Sequence, residues 1–294
     1  MRKTKLSYSY VAINIFLIFV CLAAIVPLFL IVSASFTDDI ALTLQGYSLI
    51  PSKPSLSAYE FILGDPQQLI YSYLVSIVVA FGGAFTSLIV ISLLAYPMSR
   101  PEFKYRNALS LFVFFTMLFN GGIVASYIIN TRYLGLSNSI FALILPYLVI
   151  PFYVLLLRTY FLGIPRELTE AARIDGANEW MIFIKIILPL STSALATIGL
   201  FSLLLYWNDY YLALLYVDNP TITPLQLLLF RILNNITYLT TNPNVSSGVS
   251  NVARAPVESA RMALAVLATG PMVFVFLLFQ RFFVRGITMG SVKG

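Results

Sequence analysis

Histidine is absent from this 294-residue sequence, and cysteine occurs once, at Cys21. Without imidazole the chain lacks the usual general base and the commonest nitrogen ligand for transition metals. A single thiol can form no intrachain disulfide, and Cys21 lies inside an apolar run, so it says nothing about redox compartment. Charge is scarce as well. Asp, Glu, Lys and Arg together make up 10% of the residues, against roughly 25% in soluble domains. No G-x-x-x-x-G-K-[ST] phosphate loop occurs, and the glycine pairs fall within apolar stretches, so nucleotide hydrolysis is not expected here. An intramembrane enzyme would need a metal cluster or an activated nucleophile with its base, and these absences argue against one.

What is abundant is apolar length. Hydrophobic residues are 59% of the chain, and a helix needs about 20 consecutive apolar residues to cross a bilayer. Six runs meet that requirement, at 11–33, 69–96, 107–130, 138–160, 189–217 and 262–284. The first follows Arg2, Lys3 and Lys5 but is longer than the ~7–15-residue core of a signal peptide, and no clear small-x-small site follows it, so it is read as a retained helix. Of the 18 lysines and arginines, only Lys53, Arg132, Arg231, Arg254 and Arg261 fall on one side of these spans. By the positive-inside rule both termini are expected in the cytoplasm. The net charge of +6 then reflects topology, not nucleic-acid binding. The expected fold class is an all-α membrane protein of six transmembrane helices, a single integral membrane domain over 1–294.

The loops are unequal. Residues 34–68 carry Asp38, Asp39, Glu60 and Asp65 with Pro51, Pro54 and Pro66, and should fold into turns and short helices. Residues 218–261 are rich in Asn, Ser and Thr, with Asn-x-Ser/Thr triplets at Asn235 and Asn244. A loop of that length either meets a partner or substrate or serves as a spacer. Breakers punctuate the helices at Gly82-Gly83, Gly121-Gly122, Pro146, Pro151 and Gly270-Pro271. They serve close packing, as Gly83-x-x-x-Ser87 suggests, or bending between two states.

The most informative stretch is 161–189, a charged insert between two apolar runs that contains ELTEAARIDGANEWMIFIKIILP. Pro165 suits a first helical turn, and Glu167 and Glu170 suit the positive end of the helix dipole. Arg166 and Glu170 are spaced to meet on one face. Ala171 and Ala172 favour helix and leave a low surface that fits a groove on another protein. Gly176 is placed to end the helix in a left-handed conformation. A second segment beginning at Ala177 or Asn178 carries Trp180, Phe183, Ile184 and Ile187 at helical spacing, and should lie along the inner membrane surface. Pro189 closes it and returns the chain to the bilayer.

This pattern of Glu170-Ala171-Ala172, Asp175-Gly176-Ala177 and Ile-x-Leu-Pro189 resembles the cytoplasmic coupling loop of ABC-importer permeases. The likeness extends over nearly the whole chain: SFTDD, NGGIVASYIINTRYLGLSNS, LLLRTYFLGIP, WNDYYLALL and GPMVFVFLLFQRFFVRGITMGSVKG resemble the second, six-helix subunit of the maltose-type carbohydrate family. The last two resemble its complex-oligosaccharide branch. The family's usual proline after the glycine pair is replaced by Ala125 or Ser126. The resemblance implies a type I ABC-importer permease fold in the bacterial cytoplasmic membrane. It also implies a heterodimer with a sister permease, two ATPase subunits that bind ATP and Mg, and an extracellular sugar-binding protein. Glu167, Glu170, Ala171, Ala172, Asp175, Gly176, Ala177 and Pro189 would then couple the chain to the ATPase, and no cofactor or metal is expected in this chain.

Sugar sites combine aromatic faces with amides and carboxylates. Trp207, Asn208, Asp209, Tyr210 and Tyr211, next to Tyr206, have that chemistry and are candidates for the substrate path, with Tyr127, Tyr147 and Tyr153 beside them. The other reading is an aromatic belt at the outer interface. A proton- or sodium-coupled carrier would place ionisable groups near mid-membrane, and the helix centres here hold essentially none. An ABC permease for a non-sugar solute is the nearer alternative.

Overall fold

Apolar runs form helices in hydrocarbon because backbone N–H and C=O groups there find no water to bond. The computed structural model describes residues 8–241 and 256–290, and these are almost wholly helical. Helix α1 (Tyr8–Ser35) is apolar on every side, with none of its most hydrophobic window buried, as expected of a helix that faces lipid. Helix α4 (Pro66–Ser99) runs unbroken, and Val257–Gly290, here α15, is the third long apolar helix.

The other spans are broken. Helix α5 (Arg106–Leu118) meets α6 (Gly122–Ile128) and its terminal π-turn Ile129–Tyr133 at 112°. The cause is local. Asn120 Oδ1 accepts the Gly122 N–H at 2.9 Å, and Gly122 has φ +80°, so the chain turns without the missing proline. Helices α7 (Ile140–Ile144) and α8 (Pro151–Leu162) meet at 51° around Pro146 and Pro151. Counting each bent pair as one span gives up to six crossings.

The chain divides into two compact units. The first comprises Met1–Pro66 and Leu229–Pro271. In it the segment after α1 folds into α2 (Asp39–Gln45) and α3 (Ser57–Ile62), the short helices expected there. Asp38 caps α2 and pairs with Lys53 at 3.4 Å, while Asp39 accepts from the N–H and hydroxyl of Ser259, fixing the start of α15. The second unit comprises Gln67–Leu228 and Met272–Gly294. Its core gathers Ile91, Ala95 and Met98 of α4, Val113 of α5, and Val154, Leu157 and Phe161 of α8, with Ile198 of α12 (Thr192–Asn208). Here Gly83 serves packing: a Cβ on it would stand 2.9 Å from the Tyr206 ring, and α4 continues through it as one helix.

One expectation is corrected. Much of 218–261 is helix, not loop: α14 covers Leu225–Thr241, and α15 begins at Val257. Leu225, Leu227, Leu229 and Ile236 are buried, so a helix stripe lies among the polar residues that suggested a loop. Arg2, Lys3 and Lys5, the triplet at Asn244, Arg254 and the end of the tail lie outside the described residues.

Candidate functional site

Between α8 and α12 the chain forms a two-armed elbow. The outer arm is α9 (Arg166–Ile174), entered through Pro165 at the N-cap, one position before the expected first turn. It ends as the sequence requires: Gly176 has φ +82°, the Ala177 N–H reaches Ala172 O at 2.9 Å, and the Gly176 N–H reaches Arg173 O at 3.0 Å. These are the paired bonds of a Schellman cap. Open space surrounds Gly176, so conformation alone demands glycine there.

The inner arm starts at Asn178, whose side chain accepts the Met181 N–H at 2.8 Å. It runs through α10 (Glu179–Ile182), a π-turn (Phe183–Ile187) and α11 (Leu188–Leu190). The turn back does not fall at Pro189 itself. Pro189 sits inside α11, and the 80° bend to α12 follows at Ser191. Nor does the inner arm simply rest on the membrane surface. Ile182, Phe183 and Ile187 are buried in the unit core, while Trp180 and Ile184 stay exposed. The apolar stripe therefore divides, with Trp180 and Ile184 four apart on an open side and Phe183 and Ile187 four apart on the buried one.

The outer arm is bare by contrast. Glu167, Glu170, Ala171, Asp175 and Gly176 are exposed, Ala172 and Ala177 half-buried. Arg166 and Glu170 form no ion pair. Beside them the aliphatic side chain of Ile174 is 87% exposed. Residue spacing gave no weight to Ile174, since its position fits a buried stripe as well as an exposed one.

Charged groups fix the elbow to its surroundings. Arg173 pairs with Glu102 at 2.9 Å and with Glu179 at 2.8 Å, and Glu179 also accepts from the Tyr96 hydroxyl at 2.7 Å. The Arg173 guanidinium holds the Glu102 carboxyl below the usual carboxylate range. Arg158 Nε donates to Met98 O at 3.1 Å, meeting the negative end of α4.

At the far end of α12 the aromatic cluster comes together. Tyr147 donates to Asp209 Oδ1 at 3.2 Å, Asp209 Oδ2 accepts the Leu212 N–H, and Tyr206 donates to Ile144 O at 2.9 Å. Tyr210, Tyr211 and Asn208 are exposed, and Tyr127 is exposed while stacked on Tyr216 at 5.8 Å. Trp207 departs from expectation. It is 2% exposed and lies tilted against Tyr73 at 6.5 Å, so its ring fills the interior and offers no open face. Tyr153 is half-buried against Phe201, away from this group.

Broken apolar spans joined by a core-anchored elbow mark a helical membrane protein. Comparison with known proteins narrows the class. Residues 88–289 match the family model described as binding-protein-dependent transport system inner membrane component, and the chain belongs to that family. It is 37% identical to the polygalacturonan/rhamnogalacturonan transport system permease protein YtcP of Bacillus subtilis, over 95% of this chain and 96% of that one. It is 34% identical to protein LplC of the same organism, over 100% of this chain and 98% of that protein. A chain in the crystal structure of a bacterial ABC transporter that imports the acidic polysaccharide alginate superposes with a TM-score of 0.79. That alignment has 31% identity and covers 96% of this chain and 100% of that one. The chain is thus an ABC-importer permease of the bacterial inner membrane.

Proposed function

We propose that this subunit carries oligosaccharides, of the complex or acidic kind, through an importer powered by separate ATPase subunits. In this reading it pairs with a sister permease, receives sugar from an extracellular binding protein, and keeps both termini in the cytoplasm. Two ATPase subunits hold ATP and Mg. The observation that carries the reading is the elbow's asymmetry: a bare outer arm joined to an inner arm whose Ile182, Phe183 and Ile187 belong to the core.

The mechanism follows from that geometry. When the ATPases close around nucleotide, the groove that holds α9 moves. Glu167, Glu170 and Asp175 supply charge to that contact, Ala171 and Gly176 allow close approach, and Ile174 supplies the apolar anchor of the kind that dominates interfaces. The Schellman cap keeps the two arms at a fixed angle, so displacement reaches α8 directly and α12 across Ser191. At the other end of α12, Asn208, Asp209, Tyr210 and Tyr211 shift together with Tyr147 and Tyr127. There exposed rings cover the apolar faces of sugars while the amide and carboxylate take hydroxyls. Trp207 supports this wall from behind. The names of the relatives, polygalacturonan/rhamnogalacturonan and alginate importers, favour acidic sugar chains.

The test is uptake by the assembled importer in proteoliposomes, offered labelled oligogalacturonides, alginate oligomers or maltotriose. ATP-dependent uptake of an acidic oligomer that persists with a protonophore is expected. Uptake of none of the three, with ATPase stimulated by a non-sugar solute, would favour the alternative of an ABC permease for another solute class.

A further inference from the structure

The partners of Arg173 come from stretches that are far apart in the chain. Arg173 lies on the outer arm, Glu179 opens the inner arm, Tyr96 stands in the last turn of α4, and Arg100 and Glu102 follow that helix. Together with Pro97 and Phe103 they line an open hollow of about 340 Å³. The bonds have direction. Nη1 of Arg173 meets Glu102 Oε1 at 2.9 Å, while Nη2 and Nε both reach Glu179 Oε1, at 2.8 and 3.1 Å. That leaves Glu179 Oε2 for the Tyr96 hydroxyl at 2.7 Å. Tyr96 is held in turn. Arg100 donates to its oxygen at 2.9 Å and lies 4.6 Å above its ring, and Phe183 packs 4.9 Å away.

Exposure decides what this network is for. The Arg173 side chain is 33% exposed, and those of Glu102 and Glu179 are 55% and 52% exposed. Ion pairs so open to water contribute little to folding stability. A planar guanidinium engaging two carboxylates instead fixes relative position, which a lysine ammonium does not reproduce.

We propose that Arg173 is a positioning residue that locks the elbow to the end of α4, so that work done on α9 reaches α4 without passing through α8 or α12. The proposal rests on the reading of the elbow as the ATPase contact and adds a third route out of it. Helix α4 suits that role because it is unbroken over 34 residues, or about 50 Å at 1.5 Å per residue. Its far end is also tied in: Gln68 Nε2 donates to Pro220 O at 2.8 Å, and Ser76 Oγ accepts the Leu225 N–H at 2.7 Å. A push at Arg173 is thereby delivered beside the segment that follows the aromatic cluster.

The experiment uses the assembled importer in lipid nanodiscs, with Cys21→Ser and spin labels at Leu168→Cys on α9 and Lys104→Cys beyond α4. In the otherwise unaltered chain the inter-label distance stays narrow and unchanged between the nucleotide-free and ATP–vanadate-trapped states. With Arg173→Gln the trapped state acquires a second distance, its population raised about fivefold or more, the low end of ordinary coupling strengths. The melting temperature in detergent stays the same, which a merely structural role would not allow. Glu102→Gln, which removes one arm of the fork, gives a smaller change in the same direction and serves if Arg173→Gln fails to assemble. A distance that shifts on trapping in the unaltered chain overturns the proposal, as does an unchanged distribution in both variants. Failure of the labelled but otherwise unaltered permease to retain its ATPase subunits would instead count against the functional reading beneath it.

Discussion

Two glycines carry different burdens at the scale of single residues. Gly176 is required for its left-handed φ, with no neighbour crowding it. Gly176→Ala should therefore strain the elbow by about 1–2 kcal/mol and lower ATP-driven uptake while membrane insertion stays normal, as read by uptake alongside membrane-fraction blotting. Gly83 is required for space, because the Tyr206 ring occupies the position of a Cβ. Gly83→Ala should displace that ring, weaken the Tyr206–Ile144 hydrogen bond, and destabilise by roughly 1–3 kcal/mol as an overpacked core site. Thermal unfolding of the purified subunit checks this. The first role was legible in the sequence because a helix cap is local. The second was not, since spacing marks Gly83 as a packing site but cannot say which distant side chain packs there. Trp207 shows the same limit: its composition suits a sugar face, and only packing shows that the ring is buried.

At the scale of elements, the elbow's two helices and its cap were readable from residue order, and the start of its inner arm to within Ala177 or Asn178. The burial of the inner arm was not, because an amphipathic stripe looks the same whether it meets lipid or a protein core. Helix α14 was hidden for a related reason: its Asn and Thr residues suggest a loop when counted, while its leucines fall on a buried side. The clamp at Arg173 makes a prediction at this scale. A carboxyl whose folded pKa is lowered stabilises the folded arrangement fully above its unfolded value and loses that contribution as pH falls through the folded one. Glu102 is shifted in this direction, so the pairing is complete across neutral and mildly acid conditions. The Leu168–Lys104 label distance should hold constant from pH 8 down to about 4.3, the ordinary glutamate value, and spread only below it. Spreading near pH 6 would contradict the pairing.

For the whole molecule, six apolar runs made the membrane class plain, and the described residues hold three long apolar helices and three bent helix pairs, up to six crossings if each pair is one span. The division into two compact units, each drawn from two separate stretches of chain, was not foreseen from the sequence. Transport at this scale depends on the bare arm meeting a motor subunit. The most direct measurement is site-directed cross-linking of the assembled importer carrying Ile174→Cys in a Cys21→Ser background, against single cysteines along the ATPase surface. The account predicts one efficient cross-link to a groove on the ATPase, gained or lost with ATP. An Ile174→Cys thiol that reacts freely with water-soluble maleimide in every nucleotide state, and links to no ATPase position, would contradict it.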